Sequence, residues 1–407
     1  MKNFFKTGLE LILKNLSRKI LNKSNAEIIG VTGSVGKSST KEAIFRVLNG
    51  SEKYVGRVNK SEENLNNEIG LPLSILGFKK GPIAWQWPGV IIVSLFRSII
   101  PALNPLKNIS ILVLEYASDK PGDIKYLTSI ARPKIAVVTN IGEAHLEFYQ
   151  DINQIALEKS MLVKVLNDDG YAILNSDDDY VWRMGLSSKA QVTYFGTNDK
   201  AMIKAANIHT SLNGTSFDVS SNNENKKVTM KIVGKHHVYS ALAAIAIGKI
   251  YKIKLEESIK SLANFDSLPG RDKIIKGING SLIIDSSYNA NLSSTKAMLE
   301  TFKNIKSPGR KIAILGDMCE MGEISKKAHK EIGEMSKKIA GKLIAVGSTS
   351  KLMKADKWFD RSQEAAEYMK NKIKKGDIIL VKGSHAMEME KIIKILTNTN
   401  GDNTNGH

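Results

Sequence analysis

Cysteine is almost absent: Cys319 stands alone among 407 residues. That excludes a disulfide framework and any cysteine-built zinc site, and it suits a reducing compartment. No uninterrupted apolar run reaches the roughly 20 residues that a bilayer crossing needs. The densest apolar stretch, Ile83 to Leu103, contains Arg97 and is cut by Pro88 and Pro101, so it reads as an interfacial helix or a buried hairpin. Basic residues open the chain, but no small-residue cleavage site follows, and Lys6, Glu10, Lys14, Arg18 and Lys19 interrupt the apolar positions. A cleavable signal peptide is therefore not expected. A block of interleaved basic and aromatic residues is missing too. The formal net charge is +18, yet the lysines are spread along the whole chain, so composition explains the charge and no nucleic-acid partner is expected. No internal repeat of solenoid period is visible.

What is there supports full globular folding: 42% of the residues are hydrophobic, and a chain of this length exceeds what one core organises, giving a prior of two or three domains. Phe4, Phe5, Leu9, Ile12, Leu13, Leu16 and Ile20 recur at helical spacing and predict a basic amphipathic helix. Two readings of it stand, resting on an anionic membrane surface or packing on the domain that follows. With residues 83–103 it makes either one interfacial patch near the substrate mouth or an ordinary core satellite. The polar, glycine-containing tail from Thr397 to His407 reads as disordered.

Residues 30–42 read Gly-Val-Thr-Gly-Ser-Val-Gly-Lys-Ser-Ser-Thr-Lys-Glu directly after the apolar pair Ile28-Ile29, a strand turning through glycines into a helix. Phosphate oxygens need backbone N–H groups unobstructed by a Cβ, a helix N-terminus and a cation at the outer phosphates. Gly33 and Gly36 supply the first, a helix beginning near Ser38 the second and Lys37 the third. Ser38 places a hydroxyl on the Mg²⁺ that accompanies a nucleoside triphosphate. The strict G-x-x-x-x-G-K-[ST] pattern fails, because position 31 is Val31.

Strands at 109–115 and 134–139 flank a helix at 124–131 and predict a parallel α/β arrangement. Between Tyr171 and Val233 the pattern changes to short strands such as 191–195 and 227–232, with Asn213-Gly214 marking a hairpin. Helix returns at 238–251, and Leu268-Pro269-Gly270 reads as a linker. A second alternation has strands at 281–285, 311–315, 342–346 and 377–381, Rossmann-like but without the G-x-G-x-x-G fingerprint. The expected fold class is thus α/β, with a central P-loop domain on a mostly parallel sheet and a C-terminal Rossmann-like α/β domain. Glu115 ends one apolar strand and Asn140 the next, with His145 soon after. Ligands in α/β sheets gather at the carboxyl ends of strands, where a carboxylate and an imidazole can hold a hard cation beside phosphate oxygens. Lys159, by itself, reads as a solvated helix lysine.

The chain resembles the Mur ligase family, most closely its D-alanyl-D-alanine-adding member. The resemblance rests on Val31 to Ser39, Asn64 to Leu73, Pro133 to Glu147, Leu174 to Asp178, Gly234-Lys235-His236 and Gly270-Arg271, then on Asp285-Ser286-Ser287-Tyr288-Asn289-Ala290-Asn291, Leu315 to Met318 and Val381 to Ser384. It implies an ATP- and Mg²⁺-dependent amide ligase, with UDP-muramoyl peptide and D-alanyl-D-alanine as small-molecule substrates. Lys37 and the loop Gly33, Ser34, Val35, Gly36, Ser38 and Ser39 would hold the ATP phosphates, Ser38 meeting the first Mg²⁺. Glu115 and His145 would help hold the second Mg²⁺. Lys159 matches the lysine that family members carbamylate with CO₂, which turns a cation into a carboxylate ligand for Mg²⁺. Asn140 and His236 fall on the nucleotide side. Arg271 and Asp285 would meet ribose and phosphates as the C-terminal domain closes, with Asn289 orienting that face.

The implied division is a helix at 1–26, an ATP-binding domain at 27–267 with an apolar insertion at 83–103, a ligase domain at 268–396 and a tail at 397–407, in a cytoplasmic monomer with possible peripheral membrane contact. The family's usual N-terminal domain, which grips the UDP part of the substrate, has no counterpart before the cradle strand. His237 and Ser240 stand where two asparagines are usual, Asp285-Ser286 replaces an acidic pair, His385 an arginine and Met161 an acidic residue. A related ligase acting on another carboxylate, such as a folyl, polyglutamyl or pseudomurein acceptor, and a nucleotide-gated membrane or nucleic-acid binding protein without ligase activity are the alternatives. Retention of Glu115, His145, Lys159, Arg271 and Asp285 together argues against a pure binder.

Overall fold

The computed structural model describes residues 2–62, 64–143, 146–221 and 224–397. In chain order the first part runs α1 (Lys2–Asn22), β1 (Glu27–Thr32), α2 (Lys37–Asn49), β2 (Val58–Lys60), α3 (Gly70–Ile75), α4 (Trp87–Ile99), β3 (Ile111–Glu115), α5 (Asp123–Ile130), β4 (Ile135–Val138) and α6 (Ile152–Lys164). It continues with β5 (Tyr171–Asn175), α7 (Asp179–Leu186), β6 (Gln191–Gly196), β7 (Ile203–Ser211), β8 (Gly214–Ser221), β9 (Glu224–Met230), α8 (His236–Ile250) and α9 (Leu255–Ala263). These strands form one sheet in the order β2-β3-β1-β4-β5-β6-β7-β8-β9. It is parallel through β7 and ends in antiparallel hairpins, the first turning at Asn213-Gly214.

Side chains alternate across a strand with a period of two, and that sorts the sheet's apolar residues into two cores. Ile29, Val31, Val113, Ile135 and Val137 join the core beneath α2 and α8. Ile28, Leu112, Leu114, Ala136 and Val138 join the core shared with α1, α3, α5 and α6. Helix α8 is apolar nearly all round and is buried from Val238 to Gly248 apart from the partly exposed Tyr239, as a helix wedged between α2 and the sheet must be. The register sets Val31 opposite Glu115 and Thr32 opposite Val138, so the ends of β1, β3 and β4 open on one edge.

Helix α1 packs on α3, α4 and α5, and Leu13 and Ile20 are fully buried. Leu9, Leu13, Leu16 and Ile20 are therefore core, while Ile12 faces outward. The helix at α4, by contrast, buries Val90, Ser94 and Ser98 and leaves most of its apolar residues outward. No helix of the described residues is long and apolar enough to cross a membrane. The expected tail falls, Thr397 apart, outside the described residues.

After the non-regular stretch around Leu268-Pro269-Gly270, a second sheet takes the order β10-β11-β15-β12-β13-β14. Its strands are β10 (Lys273–Lys276), β11 (Leu282–Ser286), β12 (Lys311–Gly316), β13 (Lys342–Val346), β14 (Lys357–Phe359) and β15 (Ile378–Lys382). All pairs are parallel except β10 with β11. The pairing of Ser286 with Lys382 brings two more strand ends together. The two sheets face each other through their loops: Tyr288 donates its hydroxyl to Asn64 Oδ1, and Glu147 N–H donates to Glu320 O at 3.4 Å.

Candidate active site

Backbone geometry fixes the loop after β1. Gly33 has φ +146°, and a Cβ there would lie 1.9 Å from Thr139 Oγ1. Gly36 has φ +81° and forms the left-handed turn that starts α2, a conformation that side chains other than glycine rarely adopt. The segment after β4 braces this loop: Ser34 N–H donates to Asn140 O at 2.9 Å, and Val35 N–H to Asn140 Oδ1 at 2.8 Å. Asn140 is thus a positioning residue for the loop and does not itself line the cleft above it. The free N–H groups at the start of α2 and the positive end of its dipole face that cleft.

The cleft is a cavity of about 250 Å³ between the two sheets' edges, lined from one side by Ser34 to Ser39, Asn66, Glu115 and Asp119 and from the other by Arg271, Tyr288, Asn289 and Lys382, with His236 at its border. Lys37 curls back to donate to Gly33 O at 2.8 Å. Burial lowers its pKa, Glu115 opposing and Arg271 adding to the shift. Ser38 Oγ donates to Glu115 Oε2 at 2.8 Å, and Asn66 Nδ2 to Glu115 Oε1 at 3.0 Å. Lys41, one turn along α2 from Lys37, lies 3.7 Å from Glu115 Oε2 and donates to Ser61 O at 2.6 Å. Burial works against the Glu115 charge, but Lys41, Lys37 and Arg271 outweigh it and hold the carboxyl below the usual carboxylate range. Glu115 is an anion with a hydroxyl at its side, a donor pair of hard oxygens.

Lys159 corrects the expectation of a solvated lysine. On α6 it is only 2% exposed and donates to Ser118 Oγ at 2.9 Å. Burial, with repulsion from Lys37, pushes its pKa down to about 7. Its neighbour Glu158 is committed to structure, accepting from the N–H groups of Gly122 and Ile124 at the start of α5. His145 lies outside the described residues.

On the far side, Arg271 sits 3.9 Å over the Tyr288 ring, and the ring of His385 stacks on Tyr288 at 6.1 Å. Arg271 Nε is buried without a hydrogen-bond partner. Lys382 donates to Ser286 Oγ at 3.1 Å and to Asn289 O at 2.9 Å; burial, reinforced by Arg271, brings its pKa down to about 8. Asp285 accepts from Gly270 N–H and from Ser287 and does not line the cleft. It fixes the hinge that carries Arg271. The next residue, Asp272, accepts from Nε2 of both His236 (2.7 Å) and His237 (3.2 Å), which ties the hinge to the start of α8. Burial and the nearby His236 push His237 down to about 4, so it donates as a neutral ring. The two histidines hold Asp272 well below the usual range against the effect of burial.

The Mur ligase middle-domain model matches residues 31–248, and the Mur ligase glutamate-ligase-domain model matches residues 270–385. The chain belongs to the Mur ligase family. It is 31% identical to the UDP-N-acetylmuramoyl-tripeptide--D-alanyl-D-alanine ligase of Bacillus subtilis, over 94% of this chain and 79% of that protein. It is 30% identical to the ligase of the same name from Buchnera aphidicola, over 95% of this chain and 78% of that one. The crystal structure of MurF ligase from Thermotoga maritima in complex with ADP superimposes with a TM-score of 0.79 at 27% identity, covering 94% of this chain and 82% of that one. Of the residues at or behind this Mur ligase cleft, Lys41 and Asp272 are not marked by sequence, and Asn66 and Lys382 are marked only as parts of the segments that carry the resemblance. For Lys41 a signal exists, since it lies four residues after Lys37 and so on the same face of the helix.

Proposed function

We propose that the chain is an ATP-dependent amide ligase of peptidoglycan precursor synthesis, joining D-alanyl-D-alanine to a UDP-muramoyl tripeptide. The observation that carries this reading is the meeting, across one cleft, of the Lys37-Ser38-Glu115 cluster with an Arg271 whose buried Nε has no partner. A buried donor without an acceptor costs about 1–3 kcal/mol, and a phosphate oxygen in the cleft would satisfy it.

A carboxylate is a poor acyl donor, so the γ-phosphoryl group of ATP is transferred to it. The bond between the β–γ bridging oxygen and the γ-phosphorus breaks, ADP leaves and an acyl phosphate forms. The amine of D-alanyl-D-alanine then attacks the acyl carbon, the C–N bond forms and inorganic phosphate departs. The loop from Ser34 to Ser39 binds the phosphate chain through backbone N–H groups. Lys37, released from Gly33 O, and Arg271 from the opposite wall neutralise charge on the transferred group. Ser38 and Glu115 are the residues that would hold Mg²⁺, and their paired hard oxygens fit it. Bound there, Mg²⁺ supplies charge neutralisation at the phosphate oxygens. Lys159, with its pKa near 7, offers a substantial neutral fraction at pH 7, and the neutral amine is the form that adds to CO₂, giving a carbamate and releasing a proton. Tyr288, reaching across to Asn64, helps keep water from the acyl phosphate.

ATP and a nucleotide-linked precursor are cytoplasmic reactants, which fits a chain with one cysteine. Every residue in the scheme comes from a single copy, so a monomer suffices. ADP release measured with UDP-muramoyl tripeptide and a panel of dipeptides tests the reading. D-Alanyl-D-alanine should give the fastest turnover. ADP release only with folyl or polyglutamyl acceptors would replace the substrate, and none with any acceptor would end the ligase reading.

A further inference from the structure

We propose that the outer face of α4 docks the protein on an anionic lipid bilayer. A helix on a water-soluble surface turns its polar residues outward, and α4 does the reverse. Its inward stripe is Val90, Ser94 and Ser98, spaced four apart and buried. The two serines close their hydroxyls on the helix's own carbonyls, Ser94 to Val90 O at 2.6 Å and Ser98 to Leu95 O at 2.8 Å. Such small, self-satisfied side chains let α4 lie close on α1. Its outward face carries Ile92, Phe96 and Ile99, each more than half exposed at 55%, 52% and 56%. Trp85, just before the helix, is 76% exposed, and Leu103, just after it, 50%. Contiguous exposed apolar surface of this kind marks an interaction site, and an outward tryptophan at the end of an apolar helix suits the headgroup boundary.

Charge selects the occupant. From Ile69 to Leu114 there is no aspartate or glutamate, while Lys79, Lys80, Arg97 and Lys107 are present. Lys79, Lys80 and Lys107 are exposed on either side of α4. The supporting helix α1 adds Lys14, Arg18 and Lys19 against the single acid Glu10. An apolar helix face within a basic, acid-poor surround is complementary to an anionic interface, and neutral protein surface offers nothing to those charges. Because no described helix can span a bilayer, α4 lies in the interface plane. Its inner side packs through Val90 and Trp87 on Leu65 and Leu73, in the segment that contains Asn66, so the seat is continuous with one wall of the cleft.

Deleting residues 1–25 is a poor test, since Leu13 and Ile20 belong to the core. The full chain is instead floated with vesicles of phosphatidylcholine alone or with 30 mol% phosphatidylglycerol, at low and high salt. The wild type should float with the anionic vesicles and tenfold less with neutral ones, and high salt should weaken it. Phe96→Ser/Ile99→Ser, which changes only exposed side chains, should lose at least tenfold in binding while keeping its melting temperature and ADP release. Lys79→Gln/Lys80→Gln should bind weakly with the apolar face intact. Absence of wild-type flotation at low salt, equal binding to neutral vesicles, or unchanged binding by the serine variant overturns the proposal. So does a wild-type dimer that the serine variant makes monomeric without any lipid binding, which would assign the face to a second copy. None of these readouts depends on the ligase substrate.

Discussion

On the cleft wall supplied by the first sheet, the polar groups hold one another in place before any ligand arrives: Glu115 has both oxygens engaged by Ser38 and Asn66, and Lys37 rests on Gly33 O. On the wall supplied by the second sheet, Arg271 carries a buried Nε without a partner and is held by ring stacking and by its hinge neighbours Gly270 and Asp272. The first wall is preorganised by strand register and a tight loop. The second is carried on the segment that links the two sheets. Substitutions on the first should therefore damage the chemical step with little change in nucleotide affinity, and substitutions on the second should move affinity and closure.

The largest effect is expected on the preorganised side. Lys37→Ala should lower kcat for ADP release by at least about 10³-fold with the fold intact, since it removes a cation from the phosphate site; turnover within tenfold of wild type breaks the comparison. Lys159→Met should also be inactive, yet more stable. The folded Lys159 has its pKa lowered to about 7 from 10.5, so burying its charge costs stability in full below pH 7, and the cost is relieved as pH rises from 7 to 10.5. At pH 6 the methionine variant should gain roughly 2–4 kcal/mol, read as a raised denaturation midpoint. Lys159→Ala should in addition recover part of its activity with added short carboxylic acids.

Across the cleft, Arg271→Lys keeps the charge but loses the planar group that stacks on Tyr288. It should raise KM for ATP about tenfold and lower kcat less, a split that steady-state kinetics reads directly. A kcat loss with KM unchanged would place Arg271 with the preorganised wall. The smallest effect belongs to the hinge tie. His237 is pushed down to about 4 in the folded protein, so the unfolded chain binds the extra proton between pH 6.5 and 4 and stability falls as pH drops through that window. His237→Asn should flatten that slope with a change in turnover of only about two- to threefold, checked by denaturation at pH 7 and pH 4.5.

What could be read beforehand followed from how local each feature is. The cradle was legible because Gly33, Gly36, Lys37 and Ser38 lie within one turn and the helix after it, and Glu115 because it ends an apolar strand. Lys159 taken alone reads as solvated and is marked only through the resemblance, because its burial comes from α6 packing on the sheet. Lys382 needed the pairing of β15 with β11, and Asp272 needed the meeting of the hinge with α8, contacts between residues far apart in the chain. Helix α4 read as apolar without a side. The Val90-Ser94-Ser98 spacing held that information, but only its neighbour α1 shows that the small residues face in. The short strands β10, β2 and β14 have three or four residues each, too few for an alternating pattern to stand out.

The bond from Tyr288 to Asn64 joins the two walls through side chains alone. Any opening that parts Tyr288 from Asn64 must break it first. Tyr288→Phe, which removes that one hydroxyl, should therefore hasten the exit of ADP while letting more acyl phosphate leak to water, so that speed and yield trade against each other at a group that makes no bond to the substrate.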